Sequence, residues 1–80
     1  MTDTKGTTLP QRVKAARKAT GLSQAHFATA VQERITPRRE VSNVHISRYE
    51  YGENTPPLDM LLAIAQAADV APGWLAFGDL

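Results

Sequence analysis

The sequence contains no cysteine, which excludes disulfides and cysteine-ligated zinc sites. Its two histidines, His26 and His45, are too few and too isolated to form a metal cage. No apolar run approaches the roughly 18 residues of a membrane span, and the polar start of the chain lacks the apolar segment of a signal peptide. With 80 residues the chain has room for one small domain. We therefore expect a single cytoplasmic domain that needs no metal, cofactor or disulfide.

Lysine and arginine are absent after Arg48, whereas five acidic residues follow it. All nine basic residues lie before this point and stand beside only three acidic ones. The first part of the chain therefore carries a charge of about +6 and the last part about −5. An asymmetry of this kind indicates that one side of the domain faces a polyanion and the other faces solvent or a partner.

The constellations of an enzyme are also missing. Ser23, His26, Ser42 and His45 offer no nucleophile and base with a third group to orient them, and the sequence has no glycine-rich phosphate loop. We expect no catalytic activity and no small-molecule ligand.

Apolar residues recur at helical spacing along most of the chain, so the sequence predicts an all-α fold. Ser23 and Ser42 are N-cap residues, Gly21 and Gly52 end helices, and Thr55 is expected to cap the fourth helix. Residues 1–8 are polar and predict a disordered arm, which leaves 9–80 as the domain. The predicted helices cover 10–20, 24–35, 42–51, 58–69 and 73–77, and the buried face of the fourth is expected to hold Leu58, Leu61, Leu62, Ala65 and Ala68.

Charged residues of the first predicted helix fall on two sides. Arg12, Lys14 and Lys18 are expected on its outer face, whereas Arg17 lies beside Ala16 on the inner side, where a charge needs a partner. At the other end of the chain Trp74, Leu75 and Phe77 are large for a terminal segment. They are expected to seal the core, with a dimer contact as the alternative.

The third predicted helix has two unlike faces. Ile46 and Tyr49 point one way, whereas the opposite face is short, rich in hydrogen-bonding groups and carries one apolar residue. An ordinary surface helix would hold more Glu, Lys and Ala. The pattern is typical of a recognition helix for the major groove of DNA, and its outward residues are Asn43, Val44, Ser47, Arg48 and Tyr51.

One ordered set of residues runs through the predicted helices and turns: Arg17, Gly21–Gln24, Phe27–Ala28, Val41–Ser42, Ile46–Gly52, Pro56, Leu61–Leu62, Ala65 and Trp74–Leu75. This set resembles the lambda-repressor-like class of helix-turn-helix proteins, the class of Cro and the phage repressors. The resemblance covers about residues 9–78 and implies a compact five-helix bundle. It also implies that Arg17 pairs with Glu50 and that the domain binds double-stranded DNA as a bacterial or prophage transcription regulator, most often a repressor.

The chain departs from this class in the connection between the second and third helices. About eight extra residues, near 32–39, predict a second helix that is a turn longer and a lengthened turn after it. The turn carries Arg38 and Arg39 directly before the recognition helix, where they reach a phosphate or a neighbouring groove, or belong to a solvated loop. Pro57 also stands where a serine often caps the fourth helix of the class.

Each predicted DNA contact has a chemical reason. Arg48 matches guanine O6 and N7, Asn43 matches adenine or a phosphate, and Val44 matches a thymine methyl group or is a plain exposed valine. Other contacts come from the start of the second helix and, by the resemblance, from backbone amides after the recognition helix. The full predicted set is Gln24, Arg38, Arg39, Ser42, Asn43, Val44, His45, Ser47, Arg48, Asn54 and Thr55.

One domain of this size reads few base pairs, so we expect a homodimer on a palindromic operator, with Trp74 and Phe77 as the candidate interface. The alternative is an antitoxin-like or regulatory protein-interaction module in which DNA binding is secondary. The acidic second half of the chain and an exposed Tyr51 would serve that function.

Overall fold

Five α-helices make up the domain, and among residues 7–78, which the computed structural model describes, there is no strand. The predicted all-α class and the five-helix bundle are confirmed. Residues 1–6 of the predicted arm lie outside the described residues. The helices are α1 (Leu9–Thr20), α2 (Gln24–Gln32), α3 (Asn43–Tyr51), α4 (Leu58–Ala68) and α5 (Pro72–Phe77).

The first helix is capped by residues that the sequence assigned to the arm. Thr8 is the N-cap of α1, its N–H donates to Gln11 Oε1 at 2.9 Å, and its hydroxyl accepts from the Gln11 N–H at 3.4 Å. Thr7 also accepts a hydrogen bond from Arg12 through its carbonyl oxygen. Thr7 and Thr8 are therefore hydrogen-bonded to the first turn of α1 in the structure.

Arg12 is buried, which contradicts its predicted place on the outer face of α1. Only 6% of the residue is exposed, and its guanidinium donates to three backbone carbonyls. Nε reaches Leu75 O at 2.9 Å, Nη2 reaches Ala76 O at 2.9 Å, and Nη1 reaches Thr7 O at 2.7 Å. These bonds occupy carbonyls of the last turn of α5 and fasten the start of the domain to its end.

The core lies between α4 and the other helices, because α4 contributes five buried residues over eleven positions. Its buried face agrees only in part with the predicted one. Leu61 and Ala65 are buried as predicted, but Leu58 is 72% exposed and Leu62 is 40% exposed, and Met60 and Ile64 are buried in addition. The buried hydrophobic residues are Val13, Ala16, Phe27, Ala28, Val31, Ile35, Val41, Ile46, Tyr49, Met60, Leu61, Ala63, Ile64, Ala65 and Leu75.

The terminal helix α5 closes one side of this core. Leu75 is fully buried and Trp74 packs against the core, as predicted, but Phe77 is 70% exposed and does not contribute to the seal. The helix begins at Pro72, one residue before its predicted start, because proline has a favourable backbone geometry in the first turn.

The connection between α2 and α3 is lengthened as predicted, but α2 is not. The helix ends at Gln32 and not at Ile35, so the whole insertion forms a loop from Glu33 to Ser42. Ile35 is nevertheless buried, as its place in the apolar stripe of α2 predicted, and both Ile35 and Val41 enter the core from this loop. The side chain of Gln32 also fastens the loop, since its Oε1 accepts from the Val41 N–H at 2.8 Å.

The cap of α4 differs from the prediction as well. Pro57 occupies the N-cap position with φ −66° and ψ 167°, and no side chain donates or accepts a capping hydrogen bond there. Thr55 is therefore not the cap, and Pro56 lies before the helix as a buried residue. The N–H of Leu61 closes the first turn by donating to Pro57 O at 2.8 Å.

Candidate nucleic-acid interface

The two faces of α3 lie as the sequence predicted. Ile46 and Tyr49 are buried against the other helices, whereas Val44 is 48% exposed. The side chains of Asn43 and Arg48 form no hydrogen bond within residues 7–78, and both residues are exposed. The outward face of this nine-residue helix therefore presents free donors and acceptors beside one apolar side chain.

The start of α3 is stabilised by a local hydrogen-bond arrangement. Ser42 adopts extended backbone geometry at the N-cap, and its N–H donates to His45 Nδ1 at 3.0 Å. The Ser42 hydroxyl lies 3.1 Å from the same nitrogen. Both residues were predicted DNA contacts, but the structure gives Nδ1 of His45 a capping role.

The predicted pairing of Arg17 with Glu50 is present. Nε and Nη2 of Arg17 donate to the two carboxylate oxygens of Glu50 at 2.6 and 3.2 Å. The Glu50 side chain is 2% exposed and that of Arg17 is 13% exposed, so this is a buried bidentate ion pair. Nη1 of Arg17 also donates to Leu22 O at 3.0 Å, which fastens the turn before α2.

Gln24, a predicted phosphate contact, joins the same group. Its Nε2 donates to Glu50 Oε1 at 3.0 Å, so the amide lies against α3 and not free in solvent. The backbone N–H groups of Gln24 and Ala25 have no intramolecular acceptor among the described residues, because the bonds of the first turn begin at His26 and Phe27. This end of α2 is thus a site where a phosphate can be bound.

The two loop arginines differ from one another. Arg39 donates to both carboxylate oxygens of Asp59 in the first turn of α4, with Nη2 at 3.3 Å from Oδ1. This bond lowers the pKa of the Asp59 carboxyl and raises the pKa of Arg39. Burial raises the pKa of the adjacent Tyr49 hydroxyl. Arg38 is exposed, and the described part of the chain offers it no hydrogen bond or ion pair.

The segment after α3 offers fewer free backbone N–H groups for DNA than predicted. Gly52 ends the helix with φ 79°, and the N–H of Glu53 donates to Arg48 O at 2.9 Å. The N–H of Asn54 points at the same oxygen at 3.4 Å. The backbone N–H of Asn54 is therefore not free to bind a DNA strand in this conformation, whereas Thr55 is exposed.

Other kinds of site are not seen in the part of the chain that the structure describes. Within residues 7–78 there is no pocket and no group of three or more His, Cys, Asp or Glu residues placed to hold a metal ion. No helix in this range is long and apolar enough to cross a membrane.

A short helix, a wide turn and a second helix that offers one polar face define a helix-turn-helix domain. The sequence model of the helix-turn-helix family matches residues 13–75, so the chain belongs to this family, and it is of the lambda-repressor-like class. The resemblance recognised in the sequence is thus confirmed.

One curated relative is the HTH-type transcriptional regulator DicA of Escherichia coli (strain K12). The identity is 29% over 77 residues, which is 96% of this chain and 51% of that protein. The chain therefore spans about half the length of this curated relative.

Two solved structures of the P22 c2 repressor are also similar. One, in complex with synthetic operator 9T in the presence of Tl⁺, has a TM-score of 0.77 and 33% identity, covering 91% of this chain and 98% of that one. The other, the solution structure of the DNA-binding domain, has a TM-score of 0.76 and 33% identity, covering 99% and 91%. The long loop after α2 therefore leaves the helices arranged much as in that repressor.

Proposed function

We propose that this domain binds double-stranded DNA sequence-specifically as a bacterial or prophage transcription regulator, acting as a repressor, with α3 in the major groove. The observation that carries the proposal is the exposed face of α3, where Asn43, Val44 and Arg48 have no partner among residues 7–78. Membership of the helix-turn-helix family supports it, as does similarity to a repressor solved with its operator.

Base recognition falls to three residues of α3. Arg48 donates two parallel hydrogen bonds to guanine O6 and N7, a contact worth about 1–3 kcal/mol of discrimination. Val44 packs against a thymine methyl group, and Asn43 pairs with adenine or with a phosphate at the edge of the groove. Ser47, half-buried on the same helix, contributes to a phosphate or a mixed contact.

Positioning on the DNA backbone falls to the start of α2. The free N–H groups of Gln24 and Ala25 and the second amide hydrogen of Gln24 can donate to one phosphate. Because Glu50 holds the Gln24 amide, this phosphate contact is fixed relative to α3. The domain acts as a homodimer on DNA, since one recognition helix reads too few base pairs for operator affinity.

The second candidate function is a protein-interaction module. It is favoured by Tyr51 and Leu58, each 72% exposed, and by the acidic second half of the chain. The two functions differ in their response to salt, because phosphate contacts release counterions and protein contacts of this kind do not.

Selection of bound sequences from random double-stranded DNA tests the proposal. We expect a palindromic consensus, and an affinity that falls steeply between about 50 and 200 mM salt. Weak binding without a consensus, and with a flat salt response, would contradict the proposal and favour the interaction module.

A further inference from the structure

The loop from Glu33 to Ser42, here called the insertion loop, is fastened to the domain at several points. Ile35 and Val41 are buried, and the Val41 N–H donates to Gln32. The Arg39–Asp59 pair adds a fourth attachment, to the first turn of α4. The part of the insertion loop around Arg39 is therefore held in place on both sides.

Two of the three arginines in the insertion loop already have carboxylate partners. Arg34 lies 3.9 Å from Glu33 and donates to Ala30 O at 3.0 Å. Arg39 is paired with Asp59. Arg38 is the cation that remains without a partner among the described residues, and its side chain is exposed.

Arg38 also lies close to the recognition helix along the chain. Ser42, the N-cap of α3, lies four positions further along the chain, so the two Cα atoms are at most about 14 Å apart. The major groove is about 12 Å wide and is bounded by phosphates. The length of chain between Arg38 and Ser42 therefore allows Arg38 to reach the backbone beside a helix that starts in the groove.

We propose that the insertion loop is a second DNA-contacting element, in which Arg38 binds a backbone phosphate and Arg39 is a positioning residue that holds the loop on Asp59. The inference rests on the proposed function and assigns different roles to two adjacent arginines. Arg38 adds affinity without adding base specificity, because phosphate contacts carry no direct sequence information. The ordered loop limits the entropy that is lost on binding.

Arg38→Ala tests the phosphate contact. We expect the salt slope of DNA binding to fall by about 1, so that the advantage of the wild-type domain shrinks about three- to fourfold between 50 and 200 mM salt. The ratio of operator to random-DNA affinity is expected to stay unchanged. Lys18→Ala is the matched control, since it removes one exposed charge from α1. An equal fall in slope for both variants would overturn the contact.

Asp59→Asn tests the positioning role, and the sign of its effect decides. Loss of the negative charge of Asp59 should by itself strengthen binding to DNA, which is a polyanion. If Arg39 were a phosphate ligand, its release from Asp59 would strengthen binding further. We expect weaker binding instead, by about two- to fivefold, because the insertion loop loses its attachment to α4. Tighter or unchanged binding would overturn the positioning role of Arg39.

Two controls keep these results interpretable. Thermal unfolding of each variant confirms that binding is measured on folded protein. Arg39→Ala should also weaken binding, and the double variant Arg39→Ala/Asp59→Asn should bind no more weakly than the weaker of the two single variants. Wild-type protein that fails to bind selected DNA refutes the proposed function. If the wild-type domain binds the selected DNA and Arg38→Ala does not change this binding, only the role of the insertion loop is refuted.

Discussion

Glu50, in the last turn of α3, accepts hydrogen bonds from Nε and Nη2 of Arg17 in α1, and both residues are largely removed from solvent. Gln24 of α2 donates to the same carboxylate. One buried charge therefore joins the three helices that determine how the recognition helix is presented. The arrangement links α3 directly to α2, although ten residues of loop separate the two helices along the chain.

Arg17→Ala should lower the free energy of unfolding by about 3 kcal/mol, because it leaves the Glu50 carboxylate buried without its charged partner. Chemical denaturation of the variant measures this loss. Lys18→Ala, an exposed neighbour on the same helix, is the control, and its effect should stay within about 0.5 kcal/mol. Equal losses for the two variants would mean that the pair does not form in solution.

Arg12→Ala should destabilise the domain by about 2 kcal/mol, because the carbonyls of Leu75 and Ala76 lose charged donors in a buried place. Arg12→Lys should recover little of this loss, since an ammonium group cannot supply the planar fork that reaches both oxygens. Hydrogen exchange of the α5 amides should speed up in both variants. Protection of α5 equal to that of the wild-type domain would exclude this role for Arg12.

The recognition helix could be predicted from the sequence because its signals are local. Ser42 and Gly52 mark its ends, and Ile46 and Tyr49 alone supply an apolar face, so the outward face follows by geometry. In α4 nearly every side chain is apolar, and periodicity then identifies no single face. The exposure of Leu58 could not be predicted because it depends on where the other helices pack.

Long-range partners explain the remaining differences. Arg12 precedes buried Ala16 by one helical turn, a spacing that would have indicated its inward position, but two of its three carbonyl partners lie more than 60 residues away in α5. The early end of α2 could not be predicted from periodicity, because Ile35 continues the apolar stripe of Phe27 and Val31 and is buried although it lies beyond the helix. The partner of Arg39 could not be inferred either, because Asp59 lies 20 residues further along the chain and the path of the insertion loop decides whether the two meet.

The Asp59 carboxyl should titrate below its ordinary pKa of 3.8, because the hydrogen bond from Arg39 favours the ionised form. Since the pKa is lowered in the folded state, the pair stabilises the domain fully above the ordinary value and loses this effect as the pH falls through the lowered pKa. NMR titration of the side-chain carboxyl carbon measures it. Arg39→Ala should return the pKa toward 3.8, and an unchanged titration would show that the pair is absent in solution.

Val44→Ala should reduce discrimination for thymine at one position of the half-site by about 1 kcal/mol, because it removes methyl groups that pack against the thymine methyl. Val44 is 48% exposed, so unfolding should be almost unaffected. Competition between operators that carry thymine or uracil at each position measures the effect. The wild-type domain should distinguish thymine from uracil at one position, and the variant should not. If both proteins discriminated the two bases equally, Val44 would be a plain surface residue.

Arg48→Ala and Gln24→Ala should weaken DNA binding in different ways. Loss of Arg48 should relax the preference for guanine at one position by about 1–3 kcal/mol and leave binding to random DNA nearly unchanged. Loss of Gln24 should weaken operator and random DNA alike, because its partner is a phosphate. Gln24→Ala also removes a hydrogen bond to Glu50, so both variants are compared well below their unfolding temperatures. If Arg48→Ala weakened operator and random DNA equally, Arg48 would be a phosphate contact, and base recognition by α3 would rest on Asn43 and Val44.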